Sequence, residues 1–248
     1  MQTIKKLFSN PLFTFVFVAL SYFLFLPYVL SFLYSFLHIL VPSIFVGKFK
    51  LIEENLSFIS LLIQDLGSLI IISFFVIKII KKKELKNESK KCFNIWTLKQ
   101  GLITLVLLYL VNFAISMFLP EISTGANQEN VNSIINSAPI LSFFSVVILA
   151  PIIEELIFRY LLITPLIKKN KEKYKFWAIG LSAFLFGFVH LISSIQENTF
   201  LTDLPNLAIY IGMGAVLSYK YVETENIYIP ILGHLFNNLL AFIFSLFI

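Results

Sequence analysis

The sequence predicts an all-α fold, a polytopic membrane bundle of about seven spans with the N-terminus inside. Two observations carry that prediction. Hydrophobic residues make up 58% of the chain and charged residues only 13%, where soluble domains carry about a quarter charged; the mean hydropathy is +0.88. Loop charge also alternates. Lysines crowd before the first span, after the second and after the fourth, and are absent after the third and fifth, which is the positive-inside pattern. Lys48 and Lys50, after the first span, are a mild dissent.

The first span lies within Pro11–Val46, with Pro27 and Pro42 placed to kink or end it; Met1–Asn10 with Lys5 and Lys6 resembles a signal peptide, but the apolar run is far longer than a signal core, so it reads as an uncleaved span. His38 reads as a packing histidine. The second span is Ser57–Ile80 and contains Asp65, a lone acid divided evenly between a functional and a structural role. Lys81 to Lys91 is a solvated, topology-setting loop. The third span is Gly101–Leu119, and Pro120–Ser137, with no lysine, reads as a non-cytoplasmic loop. The fourth span is Ala138–Leu166, Lys168–Lys175 a second basic loop, and Phe176–Ile195 the fifth span. Leu204–Val222 is the sixth span, in which Gly212 and Gly214 permit close helix approach. Ile227–Ile248 is the seventh. The whole is one membrane domain, with residues 1–137 as its N-terminal spans and residues 138–248 as the part that carries the chemistry.

Composition excludes several classes. The net charge of +5 sits in short loops, where lysines set topology and touch anionic headgroups, so the partners are the bilayer and a membrane peptide or protein, not nucleic acid. Cys92 is the single cysteine, which excludes an intrachain disulfide framework. Heavy use of Phe, Ile, Asn and Lys suits an AT-rich bacterial genome and hence a bacterial cell membrane.

Pro151-Ile152-Ile153-Glu154-Glu155-Leu156-Ile157-Phe158-Arg159 stands out within the fourth span. Ionisable groups at membrane depth are costly and face a bundle interior or a wet cavity. Arg159 is the only arginine among 19 basic residues. On a helix Glu155 and Arg159 are i,i+4, acid first, the favourable order for a pair. Glu154 is turned about 100° away and is left for chemistry. Pro151 removes a backbone donor one turn earlier and frees a carbonyl near the acids.

The other polar residues fall at the same depth. Counting at helical rise from the inner ends, Glu154 lies about 18 Å deep, His190 about 21 Å, and His234 and Asn238 about 11 and 17 Å. His234 and Asn238 share a helix face, as do Phe186 and His190. A carboxylate beside two imidazoles and an amide can polarise a water and stabilise an oxyanion. Two histidines and a glutamate (Glu154, His190, His234) are also a ligand set for a catalytic zinc with an open position. Peptide-bond hydrolysis in the membrane is the economical reading of either. The alternatives are a polar network that only fixes packing, a small transporter built on Asp65 and the buried charges, and a membrane scaffold.

Glu154-Glu155-x-x-x-Arg159, Phe186-x-x-x-His190 and His234-x-x-x-Asn238 together resemble the CPBP family of CAAX-processing and bacteriocin-processing intramembrane proteases, which includes the type II CAAX endopeptidases. The resemblance runs from about Ala138 to the C-terminus. It implies a multi-span helical fold with an intramembrane active site, in which Glu154 activates water with His190, His234 and Asn238 stabilise the oxyanion or serve as ligands, and Glu155 and Arg159 support or orient. It leaves a metal and a metal-free scheme open. It also implies an alternative, a non-proteolytic bacteriocin-immunity role.

Overall fold

The computed structural model describes residues 10–29, 32, 63–71, 94–119 and 124–247. Its regular elements are helices throughout. Among the described residues five are long and apolar enough to cross a membrane: Pro11–Val29, Ile95–Phe118, Pro139–Gln196, Phe200–Thr224 and Tyr228–Ser245.

Helix α1, Pro11–Val29, starts where Asn10 Oδ1 accepts the amides of Leu12 and Phe13 and Pro11 takes the first position, where its missing N–H costs nothing. Pro27 does not end it: the chain widens into a π-helical turn at Ser21–Phe25 and stays helical beyond the proline. Helix α2, residues 63–71, is the described part of the second predicted span. His38, Pro42, the remainder of that span, the lysines between 81 and 91, and Cys92 lie outside the described residues. Helix α3, Ile95–Phe118, is capped by Asn94, whose Oδ1 accepts the amide of Thr97.

The predicted loop Pro120–Ser137 is mostly helix: α4, Ala126–Ser137. Its polar, asparagine-rich composition hid a helix that turns Val131, Ile134 and Ile135 towards the bundle and its other face outward. The third apolar stretch runs 58 residues, too long for one crossing at about 1.5 Å per residue. It folds back at Asn170, whose φ of −167° and ψ of 101° are extended. This yields two antiparallel legs, α5 (residues 139–169) and α6 (residues 171–189). Ser182 Oγ donates to Phe158 O across them at 3.0 Å. The second predicted basic loop is thus helix on both sides of a one-residue break. A short helix α7, Ile192–Gln196, leads to α8, Phe200–Thr224, and α9, Tyr228–Ser245. With α2 standing for the second predicted span, the legs agree with about seven spans.

Small residues draw the legs together. A Cβ on Gly214 would lie 2.9 Å from the Ala183 Cα, and one on Gly212 would lie 2.6 Å from Ile115 Cδ1. Helix α8 is therefore pressed against α6 on one side and α3 on the other, the close approach that drives packing where solvent supplies no hydrophobic force. Helix α5 lies in the middle, its Ile153, Ile157, Phe158 and Ile163 wholly buried.

Candidate active site

Helix α5 is not regular through its motif. Residues Phe143–Leu149 and Leu156–Ile163 are π-helical, on either side of Ala150–Glu155. The Ala150 amide bonds Ser145 O, five residues back. In that register the next donor is residue 151, a proline, so Val146 O has no partner along the helix. Asn238 takes it: its Nδ2 donates to Val146 O at 3.0 Å. A single proline thus exposes the carbonyl that fixes an α9 side chain against α5.

The two acids of α5 face different ways. Glu155 is fully buried and divides its oxygens: Oε2 lies 3.1 Å from Arg159 Nε and Oε1 lies 2.9 Å from His234 Nδ1. Arg159, also fully buried, donates from Nη2 to Gly214 O at 3.1 Å and sets its guanidinium 4.6 Å from the Phe186 ring centroid. The pair does more than brace its own helix, because it links α5 to α8 and to the histidine of α9. Glu154 faces the other way, onto a cavity of about 630 Å³ that it lines together with His190, His234, Asn238 and Phe186.

The histidine tautomers follow from their partners. His190 closes α6, where its backbone amide bonds Phe188 O and leaves Phe186 O for the ring Nδ1 at 2.7 Å. A carbonyl only accepts, so Nδ1 carries the hydrogen and the lone pair of a neutral ring sits on Nε2. His234 Nδ1 faces the Glu155 carboxylate, also an acceptor, with the same consequence. Both Nε2 atoms stand 3.9 Å from Glu154 Oε2, which is buried and accepts no hydrogen bond within the protein. Three acceptors therefore converge at a separation too long for direct bonding; a bridging water donates its two hydrogens to two of them at a time.

Phe186 holds these rings in place. Its centroid lies 4.5 Å from that of His190 and 5.8 Å, edge to face, from that of His234. Tyr210 of α8 stacks on the other face of His190 at 4.5 Å and 24°.

Glu154, His190 and His234 were also the zinc candidates of the sequence. Tetrahedral zinc holds its ligand atoms about 3.4 Å apart. Here the carboxylate oxygen stands 3.9 Å from each imidazole nitrogen, and among the described residues no three His, Cys, Asp or Glu side chains group closely enough to hold an ion. As placed, these residues do not fit that ligand set, and no step below passes through one.

Residues 136–240 match the family model described as type II CAAX prenyl endopeptidase Rce1-like. The resemblance carried by the three motifs is borne out. The matched region holds all three of them. Among curated proteins, a Bacillus subtilis protein named as the membrane peptidase YdiL is 27% identical over 181 residues, 71% of this chain and 68% of its own length. The membrane-embedded CAAX protease MroQ of Staphylococcus aureus is 27% identical over 162 residues, 64% of this chain and 61% of its own length. No solved structure matches. These likenesses and the apolar helices make the chain a multi-pass membrane protein similar to bacterial CAAX-type membrane peptidases.

Asp65 of α2, which the sequence divides evenly between a functional and a structural role, accepts Ser145 Oγ and Tyr22 OH, and all three line the cavity. Other residues there were not singled out by the sequence. Ser145 and Asn112 gave a signal that could have been used, as polar residues within apolar runs at membrane depth. Tyr210 gave none, because a tyrosine in an apolar helix is commonplace.

Proposed function

We propose that this protein is an intramembrane endopeptidase in which Glu154 takes a proton from a water held between it and the Nε2 atoms of His190 and His234. The observation that carries this reading is the convergence of two imidazole Nε2 atoms, each at 3.9 Å, on a carboxylate oxygen with no hydrogen-bond partner in the protein. The water oxygen adds to the carbonyl carbon of a peptide bond as its proton passes to Glu154. The carbonyl electron pair moves to oxygen. Asn238 spends one amide hydrogen on Val146 O and keeps a second for that oxyanion. Glu154 then returns the proton to the amide nitrogen as the carbon–nitrogen bond breaks. Glu155 and Arg159 are positioning residues: they fix the tautomer and the plane of His234.

The substrate class is a peptide or protein at the membrane. Gly212 and Gly214, whose capacity for close helix approach also suits a membrane scaffold, pack against α3 and α6 of this chain. The test is a comparison of peptide termini in membranes of cells carrying wild-type protein and Glu154→Ala at matched abundance. A small set of termini found only with wild type is the expected result. Identical termini, with both proteins folded, would overturn the reading.

A further inference from the structure

The cavity is larger than water activation requires, and carboxamides recur along its walls among apolar residues and the Asp65–Ser145–Tyr22 group. Four carboxamides line it besides Asn238 and Asn206: Asn112 from α3, Asn127 and Gln128 from α4, and Asn237 from α9. Their hydrogen bonds run in one direction. Asn127 Nδ2 donates to Tyr210 OH at 3.2 Å, Gln128 Nε2 donates to Asn132 Oδ1 at 2.9 Å, and Asn237 Nδ2 donates to Asn238 Oδ1 at 3.3 Å. Among the described residues none of these carboxamide oxygens receives a hydrogen. Asn112 Oδ1 is buried and unpartnered outright, in the middle of the apolar Leu107–Met117 run. A buried carbonyl left without a donor is destabilising, and such groups are rare enough to call for an explanation.

A ligand that supplies N–H groups along its length satisfies the buried Asn112 oxygen and also meets the other three carboxamides that line the cavity. A peptide leaving a membrane helix has unpaired amides along its backbone, which are costly in an apolar setting. We infer that the Asn112, Asn127, Gln128 and Asn237 oxygens form a main-chain binding wall that takes an unwound, extended peptide segment by its backbone N–H groups. This deepens the endopeptidase reading and rests on it only for the statement that the bound segment is cut. It makes recognition tolerant of side-chain sequence and strict about the backbone, as in other modes where main-chain bonds supply affinity.

The test separates binding from cleavage. The full chain carrying Glu154→Gln, in lipid nanodiscs, is titrated with two fluorescent probes. One is an amide-capped peptide of alternating alanine and leucine. The other is its depsipeptide counterpart, in which alternate backbone N–H groups are replaced by ester oxygens. The all-amide probe should bind at least about tenfold tighter, the effect of one lost bond to a buried acceptor. Asn112→Leu should weaken the all-amide probe severalfold and leave the depsipeptide unchanged. Asn127→Ala, on the helix over the cavity, repeats the test should Asn112→Leu fail to accumulate. Equal affinities, no binding of either probe, or a preference that survives both variants overturns the inference. Because no hydrolysis is measured, failure of the protease reading appears only in the termini comparison and leaves this difference intact.

Discussion

Arg159 illustrates how much one residue type decides. A planar fork can set Nε in an ion pair with Glu155 at 3.1 Å and donate from Nη2 to the Gly214 carbonyl at 3.1 Å at once, while its face meets Phe186. Lysine offers one point charge on a flexible stem. Arg159→Lys keeps the charge but can satisfy only one of these partners, and a buried acceptor left unpaired costs about 1–3 kcal/mol. Thermal stability in detergent should therefore fall by roughly that amount, and cleavage should fall at least about tenfold because His234 loses its fixed Glu155 partner. Wild-type activity and melting temperature in Arg159→Lys would show that the fork is dispensable. The pairing itself was legible in the sequence from the i,i+4 spacing and the solitary arginine. That Glu155 also holds His234 was not, because 79 residues separate them and no periodicity within one helix reports a partner on another.

At the scale of the element, α5 is shaped by what Pro151 lacks. The sequence locates the proline and the freed carbonyl; the π-helical register on both sides of the motif and the identity of the group that claims Val146 O come from packing. Pro151→Ala restores an amide hydrogen in line with Val146 O. The backbone then competes with Asn238 for that carbonyl, and a helix interior gains about 3 kcal/mol from losing proline. The expected variant melts at the same temperature as wild type or higher and cleaves at least about tenfold more slowly, since Asn238 is no longer held in line with the reacting carbonyl. A variant that is both stable and fully active would detach Asn238 from the chemistry. The elements the sequence misread share one cause. Residues 126–137 and 168–175 are rich in asparagine and lysine, and polarity there outweighed the helical register that contacts with the rest of the bundle impose.

Across the whole molecule, the groups proposed to react and the cover over them are built by different parts of the chain. Helices α5, α6 and α9 supply Glu154, His190, His234 and Asn238, whose meeting at one cavity was legible from three motifs; α4 lies over the cavity and was legible from none. Among the bonds that tie down α4, the start of the helix is held by Asp203 at the start of α8. Its Oδ2 accepts Ser194 Oγ at 2.6 Å, Thr199 Oγ1 at 3.0 Å and the Ala126 amide at 3.0 Å, so one carboxylate ties the first residue of α4 to α7 and to the turn before α8. Asn127 adds a bond to Tyr210, which stacks on His190, and the cover is thereby joined to the reactive layer. Asp203→Ala leaves three donors without their acceptor while removing no apolar packing from the core. Local stability should drop by a few kcal/mol, and the loss should be confined to the segment that the carboxylate ties down. Hydrogen exchange in nanodiscs should then accelerate at least about tenfold over residues 126–137 and stay at the wild-type rate over residues 150–163. Acceleration spread evenly through the bundle would make Asp203 a general support of the fold, and unchanged exchange over α4 would mean that its apolar face alone holds it down. The predicted pattern, a loosened cover above an intact reactive layer, is what a site needs if an extended segment is to pass beneath α4 while Glu154 and its histidines keep their spacing.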